Sequence, residues 1–172
     1  MDGISLGKWN YAVEILKRFG MMDCTPMASN LKLLNDASTE MVDVMMYRQM
    51  IFSLMCLMNT RPDTCFTVND LSQFLTYPRH DHLVVKHVVR YLKGTIEYGI
   101  KYDMNQKINL DVYVDSYWAG SAIDRKSTSG CCFSMGLVVI SWFSRKQSCV
   151  ELSTAKAEYV TACSASCEVV WL

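Results

Sequence analysis

Residues 108–146 read INLDVYVDSYWAGSAIDRKSTSGCCFSMGLVVISWFSRK, and here the hydrophobic period changes from helical to alternating. In INLDVYVDS, Leu110, Val112 and Val114 fall on one face and Asp111, Tyr113 and Asp115 on the other, the two-residue period of a strand. GCCFSMGLVVISWFS carries β-branched and aromatic residues on both sides of Met135–Gly136, which predicts two strands joined by a hairpin. STAKAEYVTACSASCEVVWL, residues 153–172, predicts a helix with Ser153 as its N-cap.

Upstream of this switch the chain reads as helices. WNYAVEILKRFG spaces Tyr11, Ile15, Leu16 and Phe19 helically, and Gly20 is a C-terminal stop signal. Residues 21–40 carry turn residues and weak periodicity, so a connector is expected there. MMYRQMIFSLMCLM, residues 45–58, is almost wholly apolar and suits a buried helix. Arg61 precedes Pro62 and is biased away from helix. Asp63 or Thr64 is placed to cap the next helix, with Phe66, Leu71, Phe74 and Leu75 inward. HDHLVVKHVVRYLKG, closed by Gly94, has a stripe of Leu83, Val84, Val88, Tyr91 and Leu92. Four helices followed by three strands and a helix predict two units: 1–106, helical, and 107–172, α/β of the segregated α+β kind.

The 172 residues suffice for one substantial core or two small ones. With 51% hydrophobic and 20% charged residues the composition is that of a soluble globular protein. No window approaches the roughly 20 apolar residues of a membrane span, so no membrane partner is expected. The N-terminus lacks a secretory pattern. A formal net charge of zero argues against strong free-standing nucleic-acid affinity, while leaving room for a local basic strip. None of the eight cysteines forms a C-x-x-C pair, so buried, reduced thiols are expected, Cys163 and Cys167 sharing one helix face. His80, His82 and His87 lack a matching set of metal ligands.

Two carboxylates stand out by position. Asp115 closes a strand ahead of a turn-rich loop, and Glu158 lies early in the last helix. A strand end facing the first turns of a helix brings distant acids together, and paired carboxylates bind hard cations such as Mg²⁺. Two such ions activate water and stabilise a leaving oxygen in phosphodiester hydrolysis. The plainer reading remains beside it: strand-end Asp is a common turn residue, and Glu in a first turn suits the helix dipole. Lys86, Arg90 and Lys93 recur on one helix face, either as a phosphate-contacting strip or as a solvated face. Arg125 and Lys126 stand in the loop after Asp115, as backbone-contacting residues or as an exposed turn. Trp118 and Trp142 are candidates for base stacking or for packing.

Residues 113–172 resemble the start of the RNase H domain of copia-type retrotransposon Pol polyproteins. The resemblance rests on Asp124–Gly130 (DRKSTSG), Ile140–Gln147 (ISWFSRKQ) and the AEY of 157–159. Upstream, ILKRFGM, YRQMIFSLMCLMNTRPD and VVRYLKGT are similar to the family's segment between polymerase palm and RNase H. It implies a reverse transcriptase connection segment, then a truncated RNase H-like unit of three antiparallel strands and one helix. By the same resemblance Asp115 and Glu158 are metal-binding catalytic acids that, with Mg²⁺, cleave the RNA of an RNA–DNA hybrid. The partners implied are that hybrid and the remainder of the Pol polyprotein. The location implied is intracellular, in a cytoplasmic particle or the nucleus. The chain departs from the family pattern at Tyr117, where a second aspartate is usual, and at Lys156, where glutamate is usual. The family's later acidic ligands lie beyond Leu172 in sequence order, so an inactive enzyme fragment is expected. The alternative is a non-catalytic module that binds nucleic acid or protein.

Overall fold

The computed structural model describes residues 3–24, 43–76, 78, 82–103, 109–121 and 123–172. The expected connector from residue 25 onward, His80 and the expected division at 106/107 lie outside them. The chain separates into two compact units, Ser5–Ile100 and Lys101–Leu172, the latter with the chain's first residues.

The helical unit contains α1 (Trp9–Arg18), α2 (Val44–Leu57), α3 (Cys65–Ser72) and α4 (His82–Gly94). β1 (Gly3–Leu6) and β2 (Ile100–Asp103) form a two-stranded sheet. Helix α1 buries Ala12, Ile15 and Leu16 and ends where its sequence says it should. Gly20 adopts φ +65°, which a residue without Cβ takes at no steric cost. Its N–H donates to Lys17 O at 3.1 Å, and the Met21 N–H donates to Leu16 O at 2.8 Å. These two bonds make a Schellman cap, with Met21 and Leu16 both in the core. Asp43 caps α2 by accepting from the N–H groups of Met45 and Met46 at 2.9 and 3.2 Å. The apolar run of α2 is buried at Tyr47, Met50, Ile51, Leu54 and Leu57. The Tyr47 hydroxyl donates to Leu71 O at 2.8 Å, so the ring is buried without an orphaned polar group.

Two local expectations are corrected here. Neither Asp63 nor Thr64 caps α3 through its side chain. Asp63 instead accepts from Arg61 Nη2 at 2.7 Å and from the Tyr91 hydroxyl at 2.9 Å. Arg61 also donates to Thr95 O and Thr95 Oγ1, at 2.9 and 2.7 Å. Phe66 is not inward but 51% exposed, because Cys65, Val68 and Leu71 take the buried face of α3. On α4 the buried stripe is Val85, Val88, Val89 and Leu92, with Tyr91 at its margin.

The α/β unit is an antiparallel sheet in the order β3 (Leu110–Tyr117), β4 (Thr128–Met135), β5 (Val138–Lys146), followed by α5 (Thr154–Trp171). The meander and terminal helix agree with the sequence reading. Gly136, at φ +65°, and Leu137 form a two-residue hairpin closed by the Met135–Val138 pair. One irregularity interrupts the ladder: Phe133 opposes Ser141 and Ser134 opposes Val139, leaving Ile140 as the extra residue of a β-bulge. Ile140 packs beside the buried Cys131, Phe133 and Ala165. Ser153 caps α5, its Oγ accepting from the Lys156 N–H at 3.3 Å. Among the described residues no helix is long and apolar enough to cross a membrane.

Candidate functional site

Strand β3 has no neighbour on its far side among the described residues. A cleft of about 400 Å³ lies there, lined by Val114, Asp115, Ser116, Ala155, Glu158, Tyr159, Thr161 and Ala162. The two acids singled out in the sequence therefore border one cavity.

The sequence reading expected the two acids to converge from a strand end and a facing helix, but their side chains do not face each other squarely. Asp115 is two residues short of the end of β3 and pairs with Gly130, between Val114–Cys131 and Ser116–Ser129. Ser129 Oγ lies 2.7 Å from Thr161 Oγ1 of α5, which identifies the helix-covered face. Paired residues share a face and successive ones alternate, so Ser116 faces α5 and the Asp115 side chain leaves on the opposite face. The acids flank the cleft around the open edge of β3. Asp115 Oδ1 accepts the Ser116 N–H at 2.9 Å. Asp115 and Glu158 are both exposed, and the Ser116 hydroxyl is buried without a hydrogen-bond partner. Carboxylate oxygens suit Mg²⁺, which fills its remaining positions with water and phosphate oxygens. Among the described residues no group of three or more His, Cys, Asp or Glu side chains converges. The donor set fits a partly hydrated ion and not a closed cage.

What fixes α5 against the sheet is a polar hub that the sequence reading missed. Gln147, 6% exposed, donates through Nε2 to Ser129 Oγ at 2.9 Å, Ala157 O at 3.0 Å and Thr161 Oγ1 at 3.3 Å. Its backbone N–H donates to Ser127 O at 2.8 Å. Ser127 Oγ accepts from the Ala119 N–H at 3.1 Å and so ties down the turn after β3. Asp124 pairs with Lys146 at 2.9 Å. Hydrogen bonds from Ser121 and then Lys146 lower the Asp124 carboxyl to about 2. Trp118 Nε1 donates to Glu151 O at 2.9 Å, which uses its polar edge in the fold. Thus DRKSTSG and ISWFSRKQ supply the scaffold that sets Glu158 beside β3. The available signal was polar residues at inward positions: Ser129 in step with Cys131 and Phe133, Thr161 one turn from Ala157.

The two departures from the family pattern sit at the surface. Tyr117 is 60% exposed, and its ring covers Gly120, where a Cβ would stand 2.1 Å from Tyr117 Cδ1. Lys156 is exposed and lines a shallow hollow with Glu151, Ala155, Tyr159 and Val160.

The basic candidates belong to two units. Lys86, Arg90 and Lys93 are half-buried on α4, and Lys93 Nζ donates to Cys24 O just beyond α1. His87 has a buried Nδ1 with no partner; burial, then the charge of Arg90, lowers its pKa. In the other unit, Arg125 is an exposed turn residue at φ +56° and Lys126 is half-buried. The expectation of buried cysteines is corrected. None of the eight is in a disulfide, but Cys56, Cys149, Cys163 and Cys167 are exposed, the last two because the buried face of α5 consists of Ala157, Thr161 and Ala165.

No protein-family profile matches the chain, and no solved structure does. Curated relatives do. An uncharacterized mitochondrial protein of Arabidopsis thaliana is 35% identical over 99% of this chain and 72% of its own length. The retrovirus-related Pol polyproteins from transposons RE2 and RE1 of the same plant are each 37% identical over 99% of this chain. The chain spans only 12% of the length of either polyprotein. Near-complete alignment at this identity, through both units and the scaffold motifs, places the chain in the family of retrovirus-related Pol polyproteins of copia-type transposons.

Proposed function

We propose that the α/β unit carries two acidic ligands, Asp115 and Glu158, of a Mg²⁺-dependent ribonuclease site of the RNase H type, which cleaves RNA in RNA–DNA hybrids. The observation behind this reading is the single cleft bordered by both acids at the open edge of β3. Two carboxylates hold a hydrated cation against a phosphate, whereas a two-ion mechanism calls for further oxygens around the second ion. On this reading the chain alone binds the cation and turns over little or no hybrid.

Mn²⁺, a paramagnetic stand-in for Mg²⁺, tests it by NMR. Broadening is expected at Asp115, Ser116 and Glu158 and is lost in Asp115→Asn. Broadening spread over the surface, or unchanged by that substitution, overturns the reading. Any cleavage of a labelled hybrid in Mg²⁺ is expected to fall on the RNA strand and to vanish in the same variant.

A further inference from the structure

We propose that Cys163 and Cys167 form a chelating dithiol site on the outer face of α5 for a trivalent organoarsenical. The site is independent of the metal reading of Asp115 and Glu158. The two residues are one helical turn apart, and side chains at this spacing stand on one face with Cβ atoms about 5–6 Å apart. Both are exposed and free. The helix packs on the sheet through Ala157, Thr161 and Ala165, so the dithiol is reached without unfolding. Parallel Cβ directions at that distance suit two thiolates converging on one central atom. A disulfide instead calls for Cβ atoms about 3.8 Å apart.

A second observation points to the organic substituent. Tyr159 and Val170 continue the same helical row on either side of the cysteines, 77% and 88% exposed. An aryl group on arsenic has apolar surface to rest against at either end. The chemistry is a condensation. An oxide R–As=O meets two S–H groups, two As–S bonds form, and the oxygen leaves as water with both thiol protons. Arsenic stays trivalent, and no oxidant or reductant takes part.

The test uses the full chain, kept reduced by a phosphine, with phenylarsine oxide as probe and intact-mass spectrometry as readout. One phenylarsenic unit per chain, with loss of one water, is expected to survive an excess of monothiol. Removing either sulfur abolishes the chelate, so Cys163→Ser and Cys167→Ser each lower retention on the order of 100-fold. Cys56→Ser and Cys149→Ser leave it unchanged. Far-UV circular dichroism identifies folded variants, and alanine replaces serine where a serine variant fails to fold. The proposal is overturned if the native chain loses the label to monothiol, or if either α5 variant retains it. It is equally overturned if retention depends on Cys56 or Cys149.

Discussion

The two units of this chain are held together by different means. In the helical unit fifteen described residues form one buried apolar cluster, drawn from all four helices and the turn after α1. In the α/β unit the corresponding cluster is Cys131, Phe133 and Ala165, with Ile140 and Phe143 packed beside it. Buried apolar area stabilises by about 25 cal/mol per Å², so the first unit rests mainly on its core. The second rests on ladder hydrogen bonds and the Gln147 hub, whose net contribution is about 1 kcal/mol per bond. Alternation along β3 shows the same shortfall. Leu110, Val112 and Val114 share the helix-covered face, yet each is at least 36% exposed. The small residues on the buried face of α5 do not reach far enough to cover them.

The contrast breaks most sharply at Phe133. Phe133→Ala removes the largest buried side chain of the α/β unit, at a cost of about 3–5 kcal/mol. We expect tryptophan fluorescence of that unit to report unfolding while helical circular dichroism from the other persists. Leu54→Ala, about 2–5 kcal/mol in the larger cluster, is expected to lower its melting point without unfolding it at 25 °C. If both variants behave alike, the units are not energetically distinct.

Arg61→Met comes next, at about 3 kcal/mol. Its guanidinium is 4% exposed and bonds Asp63 and Thr95, so removing it leaves a half-buried carboxylate with Tyr91. Urea denaturation should show the loss in the helical transition alone. Gln147→Leu is expected to cost about 2 kcal/mol by removing the amide donor to Ser129, Thr161 and the Ala157 carbonyl, which keep only the Ser129–Thr161 and Thr161–Ala157 bonds. Hydrogen exchange should then accelerate in α5 before it does in β4. Uniform acceleration across the unit would mean that the hub does not anchor the helix.

The smallest effect is a pH dependence. Burial raises the Asp63 carboxyl, but hydrogen bonds from Arg61 and Tyr91, with the Arg61 charge, outweigh it and leave the group lowered. The unfolded state then binds the proton more readily. Stability is therefore full above the unfolded value of about 3.9 and is lost as pH falls through the folded one. Asp63→Asn should flatten that acid limb in the helical unit and leave the α/β unit's limb unchanged.

What the sequence disclosed follows the same division. The apolar run of α2, the stop at Gly20 and the turn at Gly136 are local, and each is found where the residues point. Asp63 was misread because Tyr91, which shares its carboxylate with Arg61, lies on another helix, and Phe66 because Cys65, Val68 and Leu71 take the buried face of α3. Asp115 was legible as a strand acid, and it borders the same cleft as Glu158. Its face was settled only by register against β4 and by the Ser129–Thr161 bond, which no short-range pattern encodes. Gln147 was legible as part of a family motif, but its three acceptors lie on two other elements.

The ring of Tyr117 over Gly120 constrains the order in which this corner can change. A methyl group at 120 has no room until the ring swings away, and the ring is exposed enough to do so. Aspartate at 117, by contrast, removes the ring atoms that stand nearest to a methyl at 120. The two positions are therefore coupled: a substitution at 120 made first displaces the aromatic, and the same substitution made second meets nothing of it. A double-mutant cycle would register this as non-additivity beside Asp115.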